Sequence, residues 1–490
     1  LLLGAECSRI RQENEIKAFI WAYPQANDGY TFRFLQSDEE RDDSQRINMV
    51  AASSTSNMID KIGWVVQSVG SNKAFPDSLQ AYWAGYLETN QTRRETEAHF
   101  VNTMKWLCDP PSKCAKLLTW LKTNFDYMMQ QAKANENDPF WYQCCQAMPT
   151  FTLRMTPVYN FPWQVSSRDR SSIAGAVMSL SSYPSTWTSI DDYYLVDSGL
   201  TVIETTNEVY NSSLMAIVKD NADKSVLEVF RVMVANRLAR TGKEWVQFFS
   251  KQNSGTYNNQ WMILDRKLFR PGQPLPNKDF FVVAEQMPGL IHWEDMSMKL
   301  AQDGYWASFN LAYFPEVQEY SGQNEQEKEE GDLASHDKCP RARIFRRDQD
   351  KVRDLKGMYN LMRYNEFDVD PLSRCECQPP YSGELAIAAR SDLNPPDGTS
   401  PSEMLEYRLH GATDTKLSNI NMSSVLAFVA ISSPSYEHLP AFQWSKLPVP
   451  HERPSMHPDK FMFPPVMFSP ETRNNTIHVD SAAYLSRWQH

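Results

Sequence analysis

The stretch Asn253–Asp265, NSGTYNNQWMILD, joins a run of small polar residues directly to a run of apolar ones. Its first half consists of residue types that favour turns, and Gly255 can adopt a positive φ. Its second half, from Trp261 to Leu264, is typical of a buried strand. An ordinary strand entry needs only one or two turn residues, whereas this one is rich in amide and hydroxyl groups. The stretch therefore predicts a rigid turn, bonded to itself, at the start of a central strand.

Strand and helix patterns alternate on both sides of this stretch. Helical periodicity is present in DSLQAYWAGYLE from Asp77, in CAKLLTWLKTNFDYMMQQA from Cys114 and in SVLEVFRVMVANRLART from Ser225. Asp77 is the predicted N-cap of the first helix, and Gly242 the predicted C-cap of the third. From Tyr193 onwards strand patterns dominate: YYLVDSGLTVIETT, FFVVAEQ, YWASFNLAYF and SSVLAFVAI. Short strands mixed with amphipathic helices predict a layered α+β fold.

Composition limits the classes of function. The 490 residues are 41% hydrophobic and 12% aromatic, enough for a sizeable core. A formal net charge of −11 argues against a nucleic-acid partner. The longest strongly apolar run, Val425 to Ile431, is far shorter than the roughly 18 residues of a membrane-spanning helix. We therefore expect a soluble protein without a transmembrane segment.

Two features favour a secretory route. The chain opens with LLLGAEC, which is similar to the end of a signal peptide. Four Asn-X-Ser/Thr sequons are present, and such sequons are acceptors for N-glycans in secreted proteins. We expect a secreted or lysosomal glycoprotein modified at some of Asn90, Asn211, Asn421 and Asn474.

The eight cysteines do not form a metal-binding pattern. Cys108 and Cys114, in CDPPSKC, close a short loop and are predicted to form a disulfide. Cys375 and Cys377, in CEC, are expected to lie too close for an easy mutual bridge. No CxxC pair repeats and no HExxH occurs, so no metal site is predicted. The Pro- and His-rich tail after Leu447, PVPHERPSMHP, is interpreted as an extended surface arm in preference to a metal site.

Three further segments place polar residues at predicted strand ends. Thr205 lies in VIETTNEV, Asn310 in GYWASFN, and Arg341 in the arginine-rich CPRARIFRRDQ. Amide and guanidinium N–H groups at such positions suit the stabilisation of an oxyanion. Their spacing alone does not show that they meet in the folded protein.

Six motifs together resemble the phospholipase B-like (laminin-ancestor, LAMA-like) family, most closely its second, lysosomal mammalian type. They are NSGTYNNQWMILD, EQMPG, GYWASFN, PRARIFRRDQ, LMRYNEFDVDPLS and ARSDLNP. The resemblance is densest from about Ser181 to Leu447, and residues 1–490 are interpreted as a single domain. It implies an N-terminal-nucleophile hydrolase fold, a four-layer αββα sandwich in which two β-sheets lie between helical layers.

The resemblance also implies a chemistry. The precursor cuts itself before a cysteine, whose freed α-amine then acts as general base for its own thiol. The implied substrates are acyl bonds of phospholipids or related amides, without a cofactor, in a lysosome or outside the cell. A homodimer is left open.

Roles for individual residues follow from the same motifs. Thr205 matches a threonine that bonds near the nucleophile, and Asn310 matches the asparagine that donates into the oxyanion hole. Arg341 matches the arginine that orients the cysteine and balances charge. Asn253 and Asn258, in the opening turn, are expected to support this site by locking the adjacent strands, without themselves being catalytic.

The chain departs from the family at its most important position. The family carries its nucleophile in a CSA segment that enters a strand and is followed by HxxW, and neither occurs here. Residues 1–143 resemble the N-terminal fragment and residues 150–490 the C-terminal fragment. The nucleophile segment is therefore expected to be missing between about Gln143 and Thr150, with the neighbouring strands of the sheet left unpaired.

Cys144 and Cys145 lie at this junction. Structural or disulfide roles are favoured for both, because Pro149 follows closely and cannot donate in a central β-ladder. Cys145 is kept as the alternative candidate nucleophile. Two functions thus stay open: a lysosomal or secreted acyl hydrolase, and a non-catalytic glycoprotein that uses the scaffold to bind lipid or a partner.

Overall fold

A mixed sheet of eleven strands forms the centre of the protein. This computed structural model describes residues 15–24, 30–36, 49–104, 108–110, 112–145, 155–183, 188–190 and 193–470. The spatial order is β11-β10-β9-β8-β7-β6-β5-β4-β3-β1-β2, and all neighbours are antiparallel except β4 and β5. The strands are β1 (Glu15–Pro24), β2 (Tyr30–Gln36), β3 (Met49–Met58), β4 (Trp64–Ser71), β5 (Met155–Asn160), β6 (Val177–Leu180), β7 (Tyr193–Val196), β8 (Leu200–Thr206), β9 (Asn259–Asp265), β10 (Phe281–Met287) and β11 (Leu290–Asp295).

Two smaller sheets and the helices complete the described architecture. One small sheet contains β12 (Thr415–Leu417), β13 (Phe428–Ile431) and β16 (Val466–Phe468); the other pairs β14 (Phe442–Gln443) with β15 (Lys460–Phe461). The α-helices are α1 (Ile59–Ile62), α2 (Asp77–Gln91), α3 (Arg93–His99), α4 (Ser112–Ala134), α5 (Pro139–Cys145), α6 (Met215–Lys219), α7 (Glu228–Leu238), α8 (Gly242–Phe249), α9 (Ser297–Asp303), α10 (Pro315–Ser321), α11 (Gln323–Glu330), α12 (Pro340–Asp348), α13 (Leu355–Met362) and α14 (Ile420–Ser423).

Both faces of the large sheet are covered by other elements of the fold. On one face, side chains of α2, α4, α5, α7 and α8 form the main core, in which Trp245 packs on Trp261 of β9 with ring centroids 5.2 Å apart. On the other face the three-stranded sheet β12-β13-β16 packs on β4 and β7, and the rings of Trp64 and Phe468 lie 6.0 Å apart. Tyr359 of α13 packs with Leu417 and Ile431 of the same three-stranded sheet. The mixed α and β composition is thus as predicted, while the N-terminal-nucleophile assignment stays a prediction.

The sheet is continuous where the sequence predicts a lost strand. β4 pairs directly with β5 in parallel register, from Val65 opposite Met155 to Gly70 opposite Asn160. The expectation that the neighbours of a lost strand would be left unpaired is therefore wrong for β4 and β5. Their main-chain groups satisfy one another across the junction.

Several local predictions are also corrected. Asp77 is the first residue of α2 and not its cap, a position that Pro76 occupies. Gly242 begins α8, where the Thr241 hydroxyl accepts from the next turn, and α7 ends earlier at the extended residue Ala239. The boundaries thus lie one residue and three residues, respectively, before the positions that residue preference alone predicts.

The disulfides agree with the sequence in one case and correct it in the other. Cys108 and Cys114 are joined, as predicted. Cys375 and Cys377 are joined as well, so the expectation that they lie too close is wrong. The turn between them holds their Cα atoms 5.1 Å apart, within the ordinary range of about 4.4–6.8 Å for disulfides.

None of the helices in the described part of the chain has the length and apolar character needed to span a bilayer. In the same residues, no three His, Cys, Asp or Glu side chains are grouped so that they could hold a metal ion.

Candidate functional site

The candidate site lies at one edge of the large sheet, where β8 and β10 end and β9 begins. Thr205 pairs with Gln260, and Glu285 pairs with Gln260 from the other side. The polar ends of three adjacent strands are thereby brought together. This explains why the sequence places hydroxyls, amides and a carboxyl at the ends of otherwise apolar runs.

The three residues predicted to form a site meet at this edge. Asn310 Nδ2 donates to the carbonyl oxygen of Thr206 over 2.9 Å, and Arg341 Nη1 donates to Asn310 Oδ1 over 2.7 Å. The Thr205 hydroxyl is hydrogen-bonded to that of Ser308. Thr205, Asn310 and Arg341 are all partly exposed, so a ligand can reach them. Their roles in catalysis stay a prediction.

Asn310 does not end a strand, as the sequence predicts, but lies in an irregular loop after α9. Its φ is 67°, in the left-handed region that few residues other than glycine adopt, although asparagine is enriched there. Backbone outliers of this kind concentrate at functional sites, where the surrounding structure holds them in place. The loop must therefore be anchored elsewhere.

Glu285 provides that anchor. It is buried in β10, and its carboxylate accepts from the backbone N–H of Tyr313 over 2.7 Å and of Phe314 over 3.0 Å. Gln260 Nε2 and Asn207 Nδ2 donate to the same carboxylate over 2.7 and 3.2 Å. Burial raises the pKa of Glu285, while these hydrogen bonds oppose the rise. Glu285 thus ties the Asn310 loop to the sheet.

Glu285 was not predicted as a site residue, although the sequence contains a signal for it. Glu285 interrupts the apolar run FFVVAEQM, and a carboxyl group inside a buried strand requires dedicated hydrogen-bond donors. Such a residue marks a position where another segment of chain must dock.

The opening turn is bonded to itself, as predicted. Asn253 Oδ1 accepts from Gly255 N over 3.0 Å, and Asn258 Nδ2 donates to Gly255 O over 2.9 Å. The turn also reaches β10, because Asn253 Nδ2 donates to Met287 O over 2.9 Å and Gln286 Nε2 donates to Asn258 Oδ1 over 3.1 Å. The many polar groups therefore lock β9 to the end of β10.

Two further contacts show how close the turn lies to the site. The Asn258 carbonyl accepts from Asn207 N over 2.8 Å, immediately after the Thr206 carbonyl that holds Asn310. Gly255 has φ 69°, and a Cβ there would lie 2.6 Å from the Cα of Pro288. Only glycine fits this approach without displacing the chain that follows β10.

A buried ionisable group lies behind the turn. Arg231 donates through Nη2 to Gln286 Oε1 over 2.6 Å and through Nη1 to Phe249 O over 2.6 Å. Within the described residues, neither carboxylate oxygen of nearby Glu228 has a hydrogen-bond partner. Burial raises the pKa of Glu228, against the attraction of Arg231, and Glu204 raises it further. Sequence reasoning did not identify this pair.

The chain matches one known protein family over most of its length. The family model named Phospholipase B matches residues 51–152 and 147–468, which together make up most of the chain. The chain belongs to the phospholipase B family.

Its relatives extend over most of its length. A phospholipase B-like 2 protein of Rattus norvegicus is 33% identical over 85% of this chain and 86% of its own length. The phospholipase B-like 2 protein of Homo sapiens is 32% identical over 87% of each chain, and the phospholipase B-like 1 protein of Caenorhabditis elegans is 30% identical over 84% of this chain and 86% of its own.

The family comparison also bears on the missing segment. The two matched stretches meet at residues 147–152, at the end of the interval in which the nucleophile segment is expected to be missing. The alignment to the rat protein is 503 residues long, more than the 490 of this chain, although it includes only 85% of the chain. It therefore contains positions at which the relative has residues and this family member has none.

Three cysteines can be compared with the nucleophile that the family is expected to carry. Cys145 is the last residue of α5, whereas the family's nucleophile is expected to enter a strand, and the side chain of Cys145 lies outside the described residues. Cys144 is buried in the main core. Cys339, just before Arg341, is also buried, and burial raises the pKa of its thiol. A buried thiol with a raised pKa is poorly suited to nucleophilic attack.

Proposed function

We propose that the edge formed by Thr205, Asn310 and Arg341 is the oxyanion-binding half of an acyl hydrolase site, directed at acyl esters of phospholipids or related amides. The chain of hydrogen bonds from Arg341 through Asn310 to the Thr206 carbonyl carries the proposal. It fixes amide and guanidinium N–H groups at a partly exposed position before any substrate arrives. Such preorganised donors stabilise the negative charge of a tetrahedral intermediate.

The proposed reaction is an acyl transfer through a cysteine thiol. The thiol sulfur forms a bond to the acyl carbon, and the carbonyl electron pair moves to its oxygen, beside Asn310 and Arg341. The thiol proton passes to the cysteine α-amine and then to the departing alcohol or amine as its bond to the acyl carbon breaks. Water then cleaves the thioester and releases the fatty acid. Thr205 would bond near the sulfur.

This proposal requires a nucleophile that the chain as written lacks. The test is a chimera in which the segment that the rat relative carries at this position is inserted between Gln143 and Thr150. We expect the chimera to cut itself and to release fatty acid from phosphatidylcholine or an N-acyl amide, measured by mass spectrometry. Arg341→Ala in the chimera should abolish release. A folded, self-cut chimera that releases no fatty acid from either substrate would contradict the proposal.

A second candidate function is non-catalytic lipid or partner binding by the same scaffold. Two observations favour it: β4 pairs with β5 without a gap, and Cys145 ends a helix. The transcript across Gln143 to Thr150 separates the two functions. A genomic exon that encodes a Cys-Ser strand at this position would restore the hydrolase, whereas its absence from the gene supports the binding function.

We also propose a lysosomal or secreted location. The described sequon residues Asn90, Asn211 and Asn421 are all exposed, so a glycan could be attached to each without unfolding. Asn474 lies outside the described residues.

A further inference from the structure

A partly open cavity of about 540 Å³ lies along the same edge of the sheet as the candidate site. Its wall includes Gly63 before β4, Tyr183 after β6 and Ile190 before β7. These three strand ends share an edge with the end of β8, because Leu180 pairs with Tyr194 and the following strands continue the ladder to Thr205. The cavity and the site are thus neighbours on one sheet.

One side chain connects the cavity wall to β8. The Tyr257 hydroxyl, in the opening turn, lies 2.7 Å from the carbonyl oxygen of Ile190 and 3.0 Å from Glu204 Oε1. Ile190 lines the cavity, and Glu204 immediately precedes Thr205. Because successive side chains of a strand point to opposite faces, this contact ties the cavity wall to the strand that carries Thr205 and not to the Thr205 hydroxyl itself.

The C-terminal arm forms part of the cavity wall. Asn102 and Ser455 exchange two hydrogen bonds of 3.0 and 2.9 Å, which hold the arm against the chain that follows α3. The short pair β14 and β15 brings the rings of Phe442 and Phe461 within 5.8 Å, and Trp444 packs on Phe442 at 5.1 Å. The Pro- and His-rich tail is thus an irregular segment that includes a turn, and it lines a cavity.

The wall combines apolar and aromatic side chains with a few polar ones, and two of its ionic groups are paired. Arg390 donates to both carboxylate oxygens of Asp392 over 2.8 Å, and His410 lies 3.0 Å from a carboxylate oxygen of Glu384. Burial lowers the pKa of His99 to about 4, so this imidazole is neutral at higher pH. Aromatic rings and paired charges favour the apolar part of a ligand.

We propose that this cavity binds a fatty acyl chain, supplied either by a phospholipid or by a free fatty acid. Its volume lies within the roughly 300–1,000 Å³ of small-molecule sites, which likewise are mostly apolar with a few polar groups. That this acyl chain belongs to a substrate of the candidate site rests on the proposed hydrolase function, whereas binding in the cavity does not.

The test is displacement of a fluorescent fatty acid, dansylaminoundecanoic acid, from the full chain. Leu409 lines the cavity and is 39% exposed, so Leu409→Trp can narrow the cavity from its rim without overfilling the core. Leu268, 40% exposed and at the opposite end of β9, is the matched control. We expect Leu409→Trp to weaken probe binding roughly tenfold or more, while Leu268→Trp leaves it unchanged.

A second variant and two competitors complete the test. Ile190→Trp fills the cavity from its inner wall and should weaken binding similarly, with folding checked by circular dichroism. Competition by oleate alone identifies a free fatty acid as the source, and competition by lysophosphatidylcholine identifies a phospholipid acyl chain. Failure of both to compete, or equal probe affinity in Leu409→Trp and Leu268→Trp, would overturn the proposal. A chimera that binds the probe but hydrolyses nothing would remove only the proposed hydrolase function.

Discussion

Arg341 and Asn310, 31 residues apart in the sequence, are joined by a hydrogen bond of 2.7 Å between Nη1 and Oδ1. The bond leaves Asn310 Nδ2 to donate to the Thr206 carbonyl, so one amide connects a helix, a loop and the end of a strand. Because an amide nitrogen carries two donors, one N–H of Asn310 can still reach a ligand. The amide nitrogen of Asn310 is therefore held in one position, and its side chain is partly exposed to solvent.

Replacement of Asn310 should separate backbone effects from side-chain effects. Glycine adopts φ 67° without strain, whereas alanine does not, so Asn310→Ala should be less stable than Asn310→Gly by about 1 kcal/mol. In the self-cutting chimera both variants should lose roughly 100-fold or more in fatty-acid release, as expected for an oxyanion donor. Urea denaturation and single-turnover release measure the two effects. Full activity in Asn310→Gly would show that the side chain has no part in the reaction.

Replacement of Glu285 by glutamine should loosen the loop that carries Asn310. Glutamine offers one carboxamide oxygen where the two N–H groups of Tyr313 and Phe314 now use both carboxylate oxygens. We expect a loss of stability of about 1–3 kcal/mol and faster amide exchange across residues 305–314. Exposed Glu319 provides the matched control, Glu319→Gln. Equal exchange in both variants would mean that the loop is held by other contacts.

The contribution of Glu88 to stability should fall as pH rises from about 4.5 to about 7. Burial raises the pKa of Glu88 to about 7 against a single hydrogen bond of 2.9 Å from the Tyr159 hydroxyl. Since the folded state holds this proton over the interval and the unfolded state releases it, each pH step costs stability. Glu88→Gln should remove this contribution, an upper limit of about 3 kcal/mol. The measurement is the free energy of unfolding at several pH values between 5 and 8, with Glu403→Gln as the exposed control. If Glu88→Gln has the same slope of unfolding free energy against pH as the unmodified protein, Glu88 is not protonated in the folded state.

Glycosylation should be detectable on at least two of Asn90, Asn211, Asn421 and Asn474. When the chain is produced in a eukaryotic host, glycosidase treatment should increase its mobility on a denaturing gel. Single Asn→Gln variants then identify the sites. Unchanged mobility after treatment would remove the secretory assignment.

The chain as written should neither cut itself nor release fatty acid. Self-cleavage requires a thiol placed against the preceding carbonyl, whereas Cys145 ends α5. Denaturing electrophoresis should show one intact band. Two bands, with the larger fragment beginning at Cys145 and both absent from Cys145→Ala, would show that this cysteine has taken over as nucleophile.

The sequence predicted features that depend on local patterns. The apolar run from Trp261 to Leu264 is a central strand, and the polar turn before it is self-bonded, because both follow from residue type alone. The residue types at Thr205, Asn310 and Arg341 indicated a site for the same reason. That these residues meet could not be deduced from their spacing, since it depends on how the loop after α9 docks on Glu285.

Other features lay beyond local patterns. The segment YWASFNLAYF has the apolar content of a strand but forms an irregular loop, because its backbone donors bind a buried carboxylate instead of a neighbouring strand. The Cys375–Cys377 bridge depends on a turn that brings the two residues together. The position of the arm that lines the cavity depends on a contact between Asn102 and Ser455, 353 residues apart.

The parallel pairing of β4 with β5 has a consequence for any cut in the connecting chain. The strands before Cys145 and those after Met155 belong to one sheet, and this pairing is the seam between them. A molecule nicked between these residues would remain a single two-chain particle, because its halves share a buried β-ladder. It would elute as one species in size-exclusion chromatography under native conditions. The apparent mass measured in this way therefore shows that β4 and β5 stay paired, and it does not show whether the backbone between them is intact.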